Sequence, residues 1–504
     1  MIRCRIELPL QLFSNRFSGA HIVHKEKEND MKPDRLLTHT LRANRHGRAL
    51  AEIMAAALQA VDPAHAVRAN LRRAGDAIVV GGRRYERIER VVLVGGGKAG
   101  VPMAQAACDI LGERVGAGLV VTKEGHTRTM NDEGRTMNMQ QDGPFIVHRS
   151  SFIVLEAGHP VPDARGAAAA ERMAGLLAGL GPNDLVLALI SGGGSALLTW
   201  PAPGLSLDDL RALTTALLRC GASIGEINTL RKHCTRLFGG QLARLAAPAQ
   251  VATLILSDVI GSPLDVIASG PATPDPTTFA DAWAVIERYD LADALPPAVV
   301  AHLRRGLAGE VAETPKPGDP LWERVANTLI ASNVIAAEAA VAAARDRGFN
   351  AMLLTTYLEG EAREIGRVAA GLARELALHD RPLARPALLI AGGETTVTLR
   401  GDGLGGRNQE LALGAVEGLA GLPGALVIAL ATDGGDGPTD AAGAVAGGDT
   451  LARARALNLS PVAHLQRNDA YHFFAALGDL LLPGPTQTNV NDLLFIATLP
   501  KIQT

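Results

Sequence analysis

Short apolar runs and longer amphipathic stretches alternate along this chain. The continuous apolar runs at 90–94, 184–190 and 425–431 are typical of strands that are covered on both faces of a sheet. Between such runs, apolar residues return with the period of a helix, as at 36–60 and 164–180. Strands that alternate with helices indicate βα units, so the pattern predicts an α/β fold.

The same reasoning places the other elements. Further strands are predicted at 77–80 and 85–88, which form a hairpin, and at 118–122, 151–157, 251–256, 328–331, 351–355, 386–391, 395–400 and 493–499. Further helices are predicted at 64–73, 102–111, 207–220, 227–245, 279–289, 297–307, 334–347, 360–378 and 408–419.

A proline- and glycine-rich stretch at 313–320 is the strongest linker signal in the chain. It divides the chain into an N-terminal domain at 31–312 and a C-terminal domain at 321–504, both predicted to be Rossmann-like α/β domains. Because open α/β sheets bind ligands at the carboxyl ends of their strands, we expect an active-site cleft between the two domains.

Composition argues against several classes of protein. The 504 residues carry a formal net charge of -3 and only 3% aromatic residues, so the chain has no general attraction to nucleic acid and few side chains for base stacking. No apolar run reaches the length of a membrane span. The four cysteines show no C-x-x-C spacing and fit a reducing compartment. We expect a cytoplasmic protein with small-molecule ligands and without nucleic-acid or membrane partners, with a homo-oligomer as a further hypothesis.

Two polar segments do not fit the α/β pattern. Residues 1–30 have scattered charge and no helical period, and Met31 stands just before a clean helical pattern. We therefore predict that translation starts at Met31 and that residues 1–30 are a non-native or disordered extension. Residues 124–150 are polar and without period, which predicts a surface loop.

The loop after the strand at 90–94 allows two interpretations. Gly95, Gly97 and Gly100 match the G-x-G-x-x-G pattern of dinucleotide binding, with Glu124 near the place of a ribose-binding acid. Lys98 stands inside the same turn, where a cation suits a phosphate or carboxylate ligand better than a pyrophosphate held by amides. We favour the lysine interpretation because a single G-x-G-x-x-G is weak evidence.

Two more strand ends carry candidate chemistry in the N-terminal half. The loop Ser191-Gly192-Gly193-Gly194-Ser195 lacks the lysine of a P-loop, yet its backbone N–H groups could surround phosphate oxygens. Asp258 follows the apolar strand at 251–256 and could hold Mg²⁺ or accept a proton.

The C-terminal half has its own glycine-rich loop at a strand end. Glu394 follows the strand at 386–391, and the loop at 401–406 leads into the helix at 408–419. The N–H groups of that helix start could bind an anion, and Arg407 at the junction could form two parallel hydrogen bonds with a carboxylate or phosphate. A second loop, 432–440, contains three aspartates that could bind a divalent cation through oxygen atoms.

Several of these motifs resemble the MOFRL-type glycerate 2-kinases, some of which carry the older label hydroxypyruvate reductase. The resemblance extends from about Lys32 to the end of the chain. It rests on the motifs GKA, GHPVPD, SGGGSALL, N-x-x-R-K-H, SGP, GGETTV, GGRNQE, ATDGGDGPTDAAGA and TNVNDL. It implies ATP- and Mg²⁺-dependent phosphorylation of D-glycerate at the 2-hydroxyl, which gives 2-phosphoglycerate and ADP.

The resemblance also implies roles for individual residues. Lys98 and Arg407 would hold the glycerate carboxylate and the transferred phosphoryl group, and Asp258 would orient or deprotonate the hydroxyl. Mg²⁺ would be held by some of the strand-end carboxylates, with Asp258 and Asp433 as the leading candidates. The other predicted substrate- or nucleotide-binding residues are Gly97, Ser191, Gly192, Gly193, Ser195, Glu394, Asn408 and Asp436.

Weaker signals and rival functions stay open at this point. His159 reads as a structural loop histidine, and a solvated helix face explains Asn228, Arg231 and Lys232 almost as well as a site does. The alternative function is an NAD(P)H-dependent hydroxypyruvate reductase, which rests on the G-x-G-x-x-G pattern. A nucleotide sensor that binds ATP without turnover is the third hypothesis.

Overall fold

The computed structural model describes residues 31–126, the backbone of 145–146, and residues 152–500. The predicted extension at 1–30 and the part of the predicted loop at 127–144 lie outside the described residues. Before the first sheet, the chain forms a 3₁₀ turn at Pro33–Leu36 and the helices α1 (His39–Arg42), α2 (Gly47–Ala60) and α3 (Pro63–Asn70).

A small antiparallel sheet follows these helices. It contains β1 (Leu71–Ala74), β2 (Ala77–Val80) and β3 (Arg83–Tyr85), in that order. The predicted hairpin corresponds to β2 and β3, and β1 is an additional strand that the apolar pattern did not indicate because only Leu71 of its four residues is buried.

The first large sheet has seven strands. They are β4 (Arg90–Gly96), β5 (Val115–Lys123), β6 (Phe145–Ile146), β7 (Phe152–Ala157), β8 (Asp184–Ile190), β9 (Gln250–Leu256) and β10 (Val325–Ala331). Their order is β10-β9-β8-β4-β5-β7-β6, and all pairs are parallel except β6 with β7. Without β6, the parallel strands follow the doubly wound order 3-2-1-4-5-6 of dinucleotide-binding folds, which confirms the Rossmann-like prediction for this half.

Helices cover both faces of this sheet. The helices of this half are α4 (Gly100–Leu111), α5 (Ala164–Leu177), α6 (Gly194–Leu197), α7 (Leu207–Arg219), α8 (Ile224–His233), α9 (Gln241–Ala246), α10 (Phe279–Arg288) and α11 (Pro297–Leu307). Leu93, Leu187 and other alternate side chains pack with α4, whereas Val94 and Ala188 pack with α5 and α9 on the opposite face. This two-sided burial explains the continuous apolar runs.

Four of these helices form a separate apolar cluster beside the sheet. Leu213 of α7, Leu230 of α8, Ile286 of α10 and Leu303 of α11 are among its buried members. The cluster belongs to the long connection between β8 and β10, so it stands next to the carboxyl ends of the strands.

The second large sheet belongs to the C-terminal half. Its strands are β11 (Asn350–Leu358), β12 (Ala387–Gly393), β13 (Ala425–Ala431), β14 (Gly443–Gly447), β15 (Leu480–Leu481) and β16 (Asp492–Thr498), in the order β11-β12-β16-β13-β14-β15. Only β11 and β12 pair in parallel. The fold class is therefore α/β as predicted, but this sheet is mixed rather than doubly wound.

Helices also cover this second sheet on both faces. They are α12 (Asn333–Asp346), α13 (Ala362–His379), α14 (Arg407–Leu419), α15 (Thr450–Ala456), α16 (Pro461–Arg467) and α17 (Ala470–Leu477). α13 and α14 cover one face, where Leu389 and Val427 are buried. α12 packs with α2 over the other face, where Ile390 and Ile428 are buried.

The division of the chain between the two sheets differs from the linker signal in two ways. β10 follows the predicted linker at 313–320 but pairs with β9 in the first sheet. α2 precedes the first sheet but packs on α12 of the second half. The domain bounds 31–312 and 321–504 therefore stay a prediction, while Met31–Thr504 forms one compact unit.

Three predicted elements are wrong beyond their end residues. The predicted helix at 36–60 is divided into the 3₁₀ turn, α1 and α2. Residues 395–400 form no strand beyond one bridge from Thr396 to Glu361. On the predicted apolar side, Val397 packs against the core but Leu399 is 80% exposed. The predicted helix at 227–245 is broken into α8 and α9 by Gly239 and Gly240, whose φ angles of 58° and 82° only glycine adopts readily.

Candidate active site

The predicted site loops of the first half meet at the point where the strand order reverses. β4 and β8 are neighbours in the sheet, and the chain leaves them in opposite directions. The turn Gly97-Lys98-Ala99 follows β4 and the loop 191–196 follows β8, so both lie at the carboxyl ends of adjacent strands. In open α/β sheets this crevice is where ligands bind.

The backbone of the turn after β4 is fully engaged within the protein. Gly97 N donates to Val121 O over 3.0 Å, Lys98 N donates to Gly192 O over 2.9 Å, and Ala99 N donates to Ser191 Oγ over 3.1 Å. These amides are therefore not available to a dinucleotide pyrophosphate. The side chain of Lys98 is half-buried, and no described carboxylate forms an ion pair with it, so its ammonium group is the unpaired donor of this turn.

The loop after β8 has the opposite character. The N–H groups of Gly192, Gly193 and Ser195 have no hydrogen-bond partner among the described residues, so they can receive an anion. Its glycines also permit close contact: a Cβ at Gly192 would lie 1.9 Å from Asp258 Oδ2, and one at Gly193 would lie 3.0 Å from the His159 ring. Ser191 joins this loop to the turn after β4 through its Oγ.

Asp258 stands between groups of opposite charge. Burial raises the pKa of its carboxyl, Lys98 lowers that pKa, and Glu394 raises it. Asp258 and Lys98 come from the first half and Glu394 from the second, so the two halves of the chain bring charged groups to one place. His159 borders the same loop, and burial together with Lys98 lowers its pKa to about 4, which makes the imidazole neutral at pH 7.

The second half contributes a fixed arginine. Arg407 donates to Asp492 through Nε and Nη2 at 2.5 and 3.1 Å, and its Nη1 lies 2.8 Å from Glu394 Oε1. Asn491 Nδ2 donates to Glu394 Oε2 over 2.8 Å. These carboxylates raise the pKa of Arg407, which stays charged. The ends of β12 and β13 flank the start of β16, which explains why Glu394 and Asp492 meet.

Asp436 occupies the helix start that was expected to receive an anion. Its carboxylate accepts from Asn408 N at 3.1 Å and Gln409 N at 2.8 Å, and also from Asn408 Nδ2. Burial raises its pKa to about 6. An internal carboxylate therefore lies where an anion was expected at the start of α14, and the ligand-binding roles of Asp436 and Asn408 stay predictions. Asn408 is 2% exposed and is held by the same contact.

The glycine loop before α14 also has a structural reason. A Cβ at Gly401 would lie 2.5 Å from Arg467 Cα, and a Cβ at Gly403 would lie 2.5 Å from Arg467 O. Gly403 N donates to Arg467 O, and Leu404 N donates to Asp469 Oδ1. These glycines let the loop pack closely against the end of α16.

The predicted metal ligands do not form a cage of their own. Among the described residues, no group of three or more His, Cys, Asp or Glu side chains could hold a metal ion. Asp433 is exposed and accepts from Gly435 N, whereas Asp258 and Glu394 are close enough to interact electrostatically. Two carboxylates fit Mg²⁺ that arrives with substrate phosphates, because Mg²⁺ commonly keeps its waters and uses one or two protein carboxylates.

A hydrogen-bonded cluster surrounds Arg231, for which the sequence left open whether it belongs to a site or to a solvated helix face. Arg231 Nη1 donates to Asn228 Oδ1 at 2.7 Å and to Ser269 Oγ at 3.3 Å. Ser269 Oγ in turn lies 2.8 Å from Ser195 Oγ. Ala268 and Ser269 have φ angles of 48° and 58°, a strained left-handed backbone that often marks functional sites. The sequence signal for this cluster was the motif Ser269-Gly270-Pro271 in the loop that follows β9.

Together these features define an α/β protein with a doubly wound first sheet and a crevice that contains a lysine, an arginine and carboxylates. The chain matches the family profile "Domain of unknown function (DUF4147)" at residues 49–304 and the "MOFRL family" profile at residues 387–492. It is 42% identical to a D-glycerate 2-kinase of Thermotoga maritima over 88% of this chain and 96% of that protein. The chain belongs to the MOFRL-type glycerate 2-kinase family.

Other relatives agree with this assignment. A glycerate kinase of Danio rerio is 36% identical over 90% of this chain and 97% of that protein. A relative from Agrobacterium vitis, provisionally named hydroxypyruvate reductase, is 46% identical over 80% of this chain and 86% of that protein. A crystal structure of glycerate kinase from Thermotoga maritima superposes with a TM-score of 0.77 at 41% identity, covering 89% of this chain and 99% of that one. No helix in the described part of the chain is long and apolar enough to cross a membrane.

Proposed function

We propose that this enzyme transfers the γ-phosphoryl group of ATP to the 2-hydroxyl of D-glycerate and releases 2-phosphoglycerate and ADP. Family membership supports glycerate phosphorylation, and a kinase requires a nucleotide substrate. The observation that carries the proposal is the convergence of Lys98, Asp258 and Glu394 at the switch point of the first sheet. Phosphoryl transfer depends mainly on positioning and on neutralising charge, which such a group of residues can supply.

Each residue has a role in this proposal. Lys98 and Arg407 hold the glycerate carboxylate and the transferred phosphoryl group. Burial makes Asp258 a stronger base than an exposed aspartate, so it accepts the proton of the 2-hydroxyl. The N–H groups of Gly192 and Gly193 donate to phosphate oxygens. Asp258 and Glu394 hold Mg²⁺ directly or through water, and the ion neutralises phosphate charge when bound.

The main experiment compares the two rival chemistries in one preparation. D-glycerate, ATP and Mg²⁺ are supplied, and the product is resolved from 3-phosphoglycerate by chromatography. NADH oxidation with hydroxypyruvate is followed in parallel. We expect 2-phosphoglycerate and no NADH consumption, and NADH consumption without phosphorylation would reject the proposal.

The reductase alternative has little structural support. It needs free amides in the Gly95–Gly100 turn, yet Gly97, Lys98 and Ala99 donate their N–H groups inside the protein. The cytoplasmic location and the homo-oligomer stay predictions.

Single substitutions test the assigned roles. Lys98→Ala and Arg407→Ala should each lower kcat/KM by about 10²-fold or more, the loss typical of one charge-stabilising group. Lys32→Ala, before the first helix of the described chain, is the control for loss of a lysine. Full turnover by Lys98→Ala would refute the central assignment.

A further inference from the structure

Helix α8 carries two adjacent basic residues in opposite surroundings. Lys232 is 2% exposed, and its Nζ lies 3.4 Å from both Asp265 and Asp275. Arg231 is also largely enclosed, but no described carboxylate forms an ion pair with it. The fold therefore neutralises Lys232 internally and leaves the charge of Arg231 without a partner.

The free edge of Arg231 has the geometry of an anion receptor. Nη1 donates to Asn228 Oδ1 and Ser269 Oγ, which orients the guanidinium. Nε and Nη2 donate to no described residue. In arginine these two nitrogens form the edge that binds carboxylate or phosphate through two parallel hydrogen bonds.

The surroundings make an unpaired cation costly. Burial lowers the pKa of Arg231 to about 10, and no neighbouring charge offsets that burial. A buried charge without a partner destabilises a fold, so a ligand anion would recover interaction energy at this position.

Hydrogen bonds connect Arg231 to the glycine loop after β8. Ser269 Oγ lies 2.8 Å from Ser195 Oγ, and the unpartnered N–H groups of Gly192 and Gly193 lie just before Ser195 in the chain. Lys98 borders the same loop, since its Cγ is 3.5 Å from the position of a Cβ on Gly193. Arg231, the loop amides and Lys98 thus form a row of donors.

We propose that Arg231, oriented by Asn228 and Ser269, binds a phosphate group of the nucleoside triphosphate. The inference rests on the proposed function and identifies the nucleotide rather than glycerate as the ligand of this residue. A polyphosphate carries several anionic groups, so it can accept from Arg231, the loop amides and Lys98 at the same time.

Calorimetric binding of Mg²⁺–ATP without glycerate tests the proposal. The wild type is compared with Arg231→Met, which keeps an unbranched apolar stem and removes the guanidinium charge. We expect the Kd for ATP to rise about 10- to 100-fold, the effect of losing a charge-assisted bidentate contact. The Kd for D-glycerate, measured in the same way, should change less than about 3-fold because no contact to it is lost.

Two further variants separate binding from folding. Arg231→Lys keeps the charge but not the fork, so its Kd for ATP should rise about 5-fold or more. Arg236→Lys is the control, because Arg236 is exposed and lies 3.7 Å over the Trp200 ring. Thermal unfolding without ligand establishes that each variant folds. If Arg231→Met does not fold, the Kd of Arg231→Lys for ATP decides whether Arg231 binds the nucleotide.

Each remaining outcome has a definite meaning. An unchanged Kd for ATP in Arg231→Lys and Arg231→Met overturns the proposal, as does a wild type that does not bind ATP. Weakened glycerate binding with unchanged ATP binding also overturns it and assigns Arg231 to a carboxylate. Because binding is measured without turnover, a loss of ATP affinity in a protein that does not phosphorylate glycerate would sustain this inference while rejecting the proposed function.

Discussion

At the scale of single residues, Asp258 gives the reaction its expected pH dependence. Burial raises the pKa of its carboxyl, so the acidic limb of the kcat/KM profile should lie above the ordinary range of aspartate. The base is active when ionised, and activity should therefore fall as the pH drops through that raised pKa. Asp258→Asn should lower kcat by about 10²- to 10⁴-fold and remove the limb.

The two neighbours of Asp258 give this prediction a sharper form. Lys98 lowers the pKa of Asp258 and Glu394 raises it. In residual activity, Lys98→Met should move the acidic limb to higher pH and Glu394→Gln should move it to lower pH. Shifts in the same direction for both variants would contradict the assignment of the limb to Asp258.

Asp436 gives a second pH prediction, and it concerns stability. Burial raises its pKa in the folded protein to about 6, well above the ordinary value of an aspartate. A carboxyl with a raised folded-state pKa stabilises the fold most below its unfolded pKa, and this contribution is lost as the pH rises through 6. Between pH 5 and pH 7 the wild type should lose about 1 kcal/mol of unfolding free energy relative to Asp436→Asn.

Denaturant unfolding of both proteins at the two pH values measures this difference. The comparison cancels groups that titrate alike in both proteins. A difference that stays constant, or that grows in favour of the wild type at pH 7, would mean that Asp436 is ionised with an ordinary pKa. Asp402→Asn, at an exposed ion pair with Arg467, is the control for replacing an aspartate.

At the scale of elements, glycines set how closely α13 and α14 pack. A Cβ at Gly366 of α13 would lie 2.0 Å from Leu411 O of α14, whereas a Cβ at Gly371 of the same helix meets no atom within 4 Å. Gly366→Ala should cost about 1–3 kcal/mol because the helices must separate. Gly371→Ala should stabilise the protein by up to about 1 kcal/mol because alanine favours the helix.

Thermal or denaturant unfolding of this matched pair tests the packing. Since α14 begins with Arg407, Gly366→Ala should also lower kcat while Gly371→Ala leaves it unchanged. Equal stability effects for the two substitutions would contradict the close approach of the helices.

The same scale shows what the sequence could predict. Apolar periodicity located β4, β8, β9 and β13 almost to the residue, because strands buried on both faces leave an unbroken apolar run. The alternation at 395–400 wrongly predicted a strand. An alternating sequence does not show whether the backbone pairs with a neighbouring strand or whether each apolar side chain is buried. β14 was missed because its sequence GAVAG contains too many small residues for a strand signal.

The site was only partly predictable for a related reason. Strand ends and glycine loops pointed to Lys98, Asp258 and Glu394, because parallel strands bring such loops to one edge. A pattern cannot tell whether a charge has an internal partner. Asp436 turned out to hold a helix start, and Arg231 turned out to lack a counterion, through contacts with residues distant in sequence.

At the scale of the whole molecule, the two sheets share one core. A single apolar cluster contains Leu93 and Leu254 of the first sheet together with Leu388 and Phe495 of the second. The N-terminal helices add a polar contact to the second sheet, because Thr40 N donates to Asp479 Oδ1 at 2.7 Å. We therefore expect the two halves to unfold together.

Asp479 offers a way to test this coupling. Its carboxylate is fully buried and pairs with Arg453, which also contacts the exposed Asp449 at 3.1 Å. Asp479→Ala should cost about 3–5 kcal/mol because it removes the buried partner of Arg453 and leaves the buried Thr40 N–H without its acceptor. Asp449→Ala should cost roughly 0–1 kcal/mol because that pair is solvated.

The tryptophans make the coupling visible. Trp200, Trp283 and Trp322 all pack in the clusters of the first half, whereas Asp479 belongs to the second. If the shared core joins the halves, Asp479→Ala should lower the unfolding midpoint equally in tryptophan fluorescence and in far-UV circular dichroism, since coincident probes indicate one cooperative transition. A fluorescence midpoint that stays at the wild-type value, beside an earlier first step in circular dichroism, would show that the halves unfold independently. The shared cluster would then contribute little to the stability of the first sheet, and the crevice between Asp258 and Glu394 could open without unfolding either half.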